Sequence, residues 1–143
     1  MSKFETFEHK ADVGIRGWGE SPEEALSNIL KALASLLVET TSFFEESPKV
    51  AISIEVSSEF LDELLVKFIN RVLSLTYLER VIFYEFRGRL EKEEEYLLKG
   101  ELWGVAFEPD RYGYGVEVKG ATFTMAEFQQ RDSLFIAQCV VDV

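Results

Sequence analysis

Apolar and polar positions alternate with a period of two over Lys49 to Ser57, with Val50, Ile52, Ile54 and Val56 on one face. Such alternation predicts a half-buried strand. Lys3 to Glu8 and Val13 to Gly19 read as two further strands, separated by His9-Lys10-Ala11-Asp12. Gly14, Gly17 and Gly19 interrupt the second, which predicts an irregular, twisted strand with a bulge or a close backbone approach. Ser21-Pro22-Glu23-Glu24 then opens a helix, with Ser21 as cap, Pro22 at the first helical position and Glu24 completing a capping box. Ala25, Leu26, Ile29, Leu30, Leu33, Leu36 and Leu37 recur at helical spacing to about Val38. A second helix starts after a Ser57 or Ser58 cap, with Glu59 in its first turn. It buries Phe60, Leu61, Leu64, Leu65, Phe68, Ile69, Val72 and Leu73, and runs to about Thr76.

From there the pattern is strand and turn. Val81 to Leu90 pairs through Glu91-Lys92-Glu93-Glu94 with Glu95 to Phe107. Glu108 to Gly115 is a loop, and Val116 to Gln129 and Leu134 to Val143 flank a turn at Gln130-Arg131-Asp132-Ser133. The order β-β-α-β-α followed by four strands predicts an α+β fold, two helices on a largely antiparallel sheet, in one domain over residues 1–143. The loop from Glu39 to Pro48 carries an apolar Phe43-Phe44 pair, placed either under the loop or in a partner contact.

Composition narrows the function. The chain has 143 residues and 26 acidic against 15 basic side chains, a formal net charge of −11. That field repels phosphate backbones and attracts cations and basic protein surfaces. No apolar run is long enough for a membrane helix, and Met1 to Thr6 has no signal-peptide core, so the expected location is cytoplasmic. Cys139 is the only cysteine and His9 the only histidine, which excludes an intrachain disulfide, a cysteine-rich zinc site and a multi-histidine metal site. No Gly-x-Ser-x-Gly elbow, phosphate-cradling Gly-x-x-x-x-Gly-Lys or Gly-x-Gly-x-x-Gly motif occurs.

Two carboxylates stand out against this background. Asp12 lies in the joint between two strands, where its ordinary role is an Asx turn to the backbone two residues on. Asp142 is penultimate in Cys139-Val140-Val141-Asp142-Val143, an end too apolar to fray, so that Asp142 and the Val143 carboxylate are held close together. With a third oxygen group they suit a hard divalent cation, although spacing alone does not bring Asp12 to Asp142.

The segments Glu8-His9-Lys10-Ala11-Asp12-Val13-Gly14-Ile15-Arg16-Gly17-Trp18-Gly19, Glu23-Glu24-Ala25, Asp62-Glu63-Leu64-Leu65-Val66, Glu117-Val118-Lys119-Gly120-Ala121-Thr122 and Val140-Val141-Asp142-Val143 together resemble the archease family, in order and over essentially the whole chain. The resemblance implies an accessory protein of the RtcB-type tRNA-splicing ligase, promoting guanylylation of the ligase by GTP and multiple turnover. It implies a divalent metal site, described as calcium, on Asp12, Asp142 and Val143. Lys119 is the candidate functional cation, against the plainer role of an outward strand lysine, and His9 is a further candidate near the site. The sequence departs from the family pattern in three places. Lys10 stands where Thr is usual, Thr122-Phe123-Thr124-Met125 lacks a histidine often found there, and Val143 replaces Ile.

The expected function is therefore that of a non-catalytic ligase activator. It would meet tRNA only indirectly through the ligase, with no membrane and no small-molecule substrate. Two rivals make different demands. A general chaperone or adaptor for RNA-processing proteins would act through the apolar loops Thr41 to Glu46 and Glu108 to Gly115. A small enzyme would use His9 and Lys119 as acid and base.

Overall fold

Ser21 begins the first long helix as its sequence requires. In the computed structural model, which describes residues 3–143, its hydroxyl accepts the Glu24 amide at 3.1 Å and α1 runs Pro22–Leu37. Met1 and Ser2, part of the stretch read for targeting signals, lie outside the described residues. The second arm of the expected capping box is replaced: the Glu24 carboxylate accepts the Lys3 ammonium at 2.7 Å. Helix α2 covers Leu61–Glu79, starting three residues after Ser58 and ending beyond Thr76, so that Phe60 caps it and is exposed rather than part of the buried stripe. Ser58 still serves its first turn, because its hydroxyl accepts the Phe60 amide at 3.3 Å and donates to Glu63 at 2.7 Å.

The α+β class holds, and the antiparallel strands divide into two sheets. The first contains β1 (Phe4–His9), β2 (Asp12–Gly19), β8 (Leu134–Asp142) and two short strands, β6 (Gly120–Ala121) and β7 (Glu127–Arg131), that follow each other along one edge of β8. The second has the order β3-β5-β4, from Val50–Ser58, Tyr96–Ala106 and Val81–Lys92. Helix α1 packs on β1, β2 and β8 and also on β4, and α2 likewise touches strands of both sheets. The main core therefore joins Leu26, Ile29, Leu33, Leu65, Phe68 and Ile69 of the helices to Ile15, Cys139 and Val141 of one sheet and Ile54, Phe86 and Leu102 of the other.

Strand β2 is regular, contrary to the expected bulge: its register runs unbroken from Val13↔Val141 to Gly19↔Phe135. Its glycines serve close approach instead. A Cβ on Gly17 would collide with the backbone of α1 at Ile29 and lie 2.7 Å from Ala25 O, so the helix axis sits closer to β2 than any side chain would permit. The Asn28 side-chain amide fixes the contact by donating to Trp18 O at 2.6 Å.

Two other expectations change. Val116 to Gln129 is not one strand, because the chain turns between Thr122 and Ala126. Met125 takes a left-handed φ of 54°, the Thr122 hydroxyl accepts the Thr124 amide at 3.2 Å, and the Ala126 amide donates to Phe123 O. The Phe43-Phe44 pair, set in a 3-10 turn over Ser42–Glu45, tucks inward. Phe43 is 1% exposed in a second apolar cluster with Val38, Ile82, Tyr84 and Tyr112.

Candidate functional site

The joint between β1 and β2 is a two-residue turn, since His9 pairs with Asp12, and Lys10 adopts φ 55° to close it. The Lys10 side chain points into solvent, in a backbone region that glycine or asparagine would adopt more cheaply. Asp12 does not use its carboxylate for a local Asx turn. Its Oδ1 accepts the main-chain amide of Val143 at 3.3 Å.

That bond follows from the sheet. Val13 pairs with Val141, so one step further along the same ladder sets Asp12 beside Asp142. On the other side of β8, Asp142 pairs with Gly120. Directly opposed residues of an antiparallel pair project to the same face. His9, Asp12, Asp142 and Gly120 thus form one row across four strands at the end of the sheet. Asp12 is half-buried, Asp142 is exposed, and the Val143 side chain packs against the main core, which keeps the end of β8 from fraying.

Lys119 reaches this row through its backbone: its amide donates to Asp142 O at 2.8 Å. It stands just before β6, not within a strand, and its side chain is exposed. The segment that carries it is pinned by a residue that no sequence pattern singles out. Asn70 of α2 accepts the Ala121 amide at 2.8 Å and donates back to Ala121 O at 3.5 Å. An exposed Asn on a helix surface carries no chemical signature, so only the fold reveals this role.

The donor set is consistent with a hard cation. Among the described residues no three His, Cys, Asp or Glu side chains cluster as a metal site, and the oxygen donors at this corner are the Asp12 carboxylate and that of Asp142 beside it in the ladder. Calcium takes six to eight oxygens, which leaves several positions for water or a partner's oxygens. Cys139 is not a competing ligand: it is buried, and burial pushes its thiol up to about 12. Thr122 to Met125, in place of the missing histidine, presents exposed Phe123 and Met125.

Among the described residues no helix is long and apolar enough to cross a membrane. Residues 4–143 match the model of the Archease protein family. The chain is 34% identical to the protein archease of Pyrococcus furiosus and 32% identical to that of Pyrococcus abyssi, covering all of both partners in each comparison. Its fold is similar to the solution structure of Methanobacterium thermoautotrophicum protein 1598, with a TM-score of 0.81 and 26% identity over the whole of both chains. A family match over nearly every residue, in a chain whose opening and closing motifs lie side by side in the sheet, means that this chain belongs to the archease family.

Proposed function

We propose that this protein is a single-domain, metal-binding accessory of the RtcB-type RNA-splicing ligase in tRNA splicing, and that it promotes guanylylation of the ligase by GTP. Asp12, Asp142 and the Val143 carboxylate would hold one divalent ion, calcium as the family resemblance implies. The observation that carries this reading is the contact between Asp12 and the last residue, which brings oxygen donors from opposite ends of the chain to one sheet corner. When bound, the ion supplies charge neutralisation and open coordination positions at that corner.

The protein's own residues define what can be offered to a partner. Asp142 is exposed and Lys119 extends from the adjoining backbone, so the corner combines carboxylates with an exposed cation. A net charge of −11 disfavours direct grasp of tRNA and favours docking on a basic protein surface. The adaptor alternative has less support. Of the two loops it would use, Phe43 and Tyr112 are 1% and 3% exposed, and Tyr114 is the exposed ring.

A guanylylation time course of the cognate ligase tests the proposal. Wild-type protein should accelerate label transfer from GTP, and Asp12→Ala and Asp142→Ala should each lose most of that acceleration. Full acceleration by both variants would refute it.

A further inference from the structure

A cavity of about 370 Å³ opens between the C-terminal end of α2, β4 and the irregular segment after the short helix α3 (Pro109–Tyr112). Its walls include Leu37, Ile82, Phe107 and Tyr114, and both Arg80 and Glu117 line it. The volume falls within the range of small-molecule sites. It is also preformed. The Gly115 and Val116 amides donate to Leu37 O and Leu36 O at 3.0 and 2.8 Å, which occupies carbonyls otherwise orphaned at the end of α1. The Tyr77 hydroxyl then clamps the segment further on, donating to Val118 O at 2.7 Å and accepting the Val118 amide at 3.0 Å.

The two charges at this cavity, Arg80 and Glu117, are solvent-exposed. Among the described residues neither Arg80 nor Glu117 has an ion-pair partner, and they do not pair with each other. Arg80 occupies the position just after α2 with φ 55° and ψ 54°. That left-handed position favours glycine. Tyr114 packs against Phe107 with ring centres 5.4 Å apart and planes tilted by 51°, giving the cavity an aromatic wall.

We propose that this cavity is a binding site for a free aromatic α-amino acid. The guanidinium of Arg80 takes the α-carboxylate, Glu117 takes the α-ammonium, and the aromatic side chain lies against Leu37, Ile82 and Phe107. An unpaired cation and an unpaired anion on one apolar cavity match a zwitterion, whereas a simple anion would meet Glu117 and a simple amine would meet Arg80. The site is separate from the Asp12–Asp142 corner and does not depend on the ligase reading.

Calorimetric and melting titrations with L-phenylalanine, L-tryptophan, 3-phenylpropanoate and phenethylamine test the assignment. One of the amino acids should bind saturably and raise the melting temperature. The acid and the amine, each lacking one charge, should bind at least tenfold more weakly. Arg80→Gly should melt at or above the wild-type temperature while losing at least tenfold in affinity, which separates binding from folding; Glu117→Gln should lose affinity likewise. No saturable binding by either amino acid would overturn the proposal. So would acid or amine binding as tight as the amino acid, or unchanged affinity in Arg80→Gly.

Discussion

The carboxylate of Asp12 accepts the main-chain amide of Val143 at 3.3 Å across a separation of 131 positions. Asp12 opens β2 and Val143 follows β8, and antiparallel pairing of those strands is what closes the distance. A local Asx turn would have spent this carboxylate on its own loop. Here it is directed at the end of a different strand.

Asp12→Ala therefore removes both a hydrogen bond and an oxygen donor. Loss of the bond at a half-buried site should cost about 1 kcal/mol of stability. The informative readout is the response to metal. Wild-type protein should melt higher in calcium than in chelator, because an ion that binds only the native state stabilises it by mass action. Asp12→Ala should melt at one temperature in both; a preserved calcium shift would remove Asp12 from the site.

Phe43→Ala tests whether the aromatic loop is core or contact surface. The ring is 1% exposed and lies 4.7 Å from Tyr112 and 5.4 Å from Tyr84, centre to centre. Truncation should cost about 3–5 kcal/mol in chemical denaturation. A change within about 0.5 kcal/mol would mean that the ring contributes little to the fold, and would revive the adaptor reading.

Gly17→Ala should be among the most damaging small substitutions, at about 3 kcal/mol or more, because the added methyl meets main chain of α1, which cannot rotate away. Gly120→Ala meets only the Asn70 side chain, at 3.3 Å, and should cost far less. Equal stability of the two variants in urea would contradict the packing of α1 on β2.

Alkaline pH should weaken the fold in a defined order. Burial pushes the Cys139 thiol up to about 12 from an ordinary value near 9, so the unfolded chain loses this proton first. Stability from this group is complete below pH 9 and falls as pH rises towards 12, by at most about 1.4 kcal/mol per pH unit. Burial also raises the hydroxyls of Tyr84 and Tyr112, which adds to the loss above pH 10. Urea denaturation of Cys139→Val should be flatter than wild type between pH 9 and 10; an identical slope would mean that the thiol titrates freely.

Much of this was legible where the physics is local. The alternation of Val50 to Val56 marks β3, and Ser21-Pro22 marks the start of α1, because each depends on side chains within one turn or pleat. The glycines of β2 announced a bulge or a close approach without deciding between them, and gave no identity to the approaching backbone. Nothing in Thr122-Phe123-Thr124-Met125 announces a left-handed residue, since Met has no preference for φ 54°; tertiary hydrogen bonds to β8 impose the turn. Division into two sheets was equally hidden, because periodicity identifies a strand without naming its neighbour. At the site, resemblance supplied Asp12 and Asp142 as a pair, and only the register of β2 on β8 supplies a physical reason for their meeting. Asn70 and Arg80 are single polar residues without a motif, visible only once distant segments are packed together, and the motif that Glu117 opens does not announce its place on the cavity.

Calorimetric titration of calcium into the protein asks whether the ends of β2 and β8 share one cation. The account predicts one equivalent bound by wild type, and affinity reduced at least tenfold in both Asp12→Asn and Asp142→Asn, with folded spectra retained. Calcium binding of equal strength in wild type and both variants, or none in wild type, would contradict it.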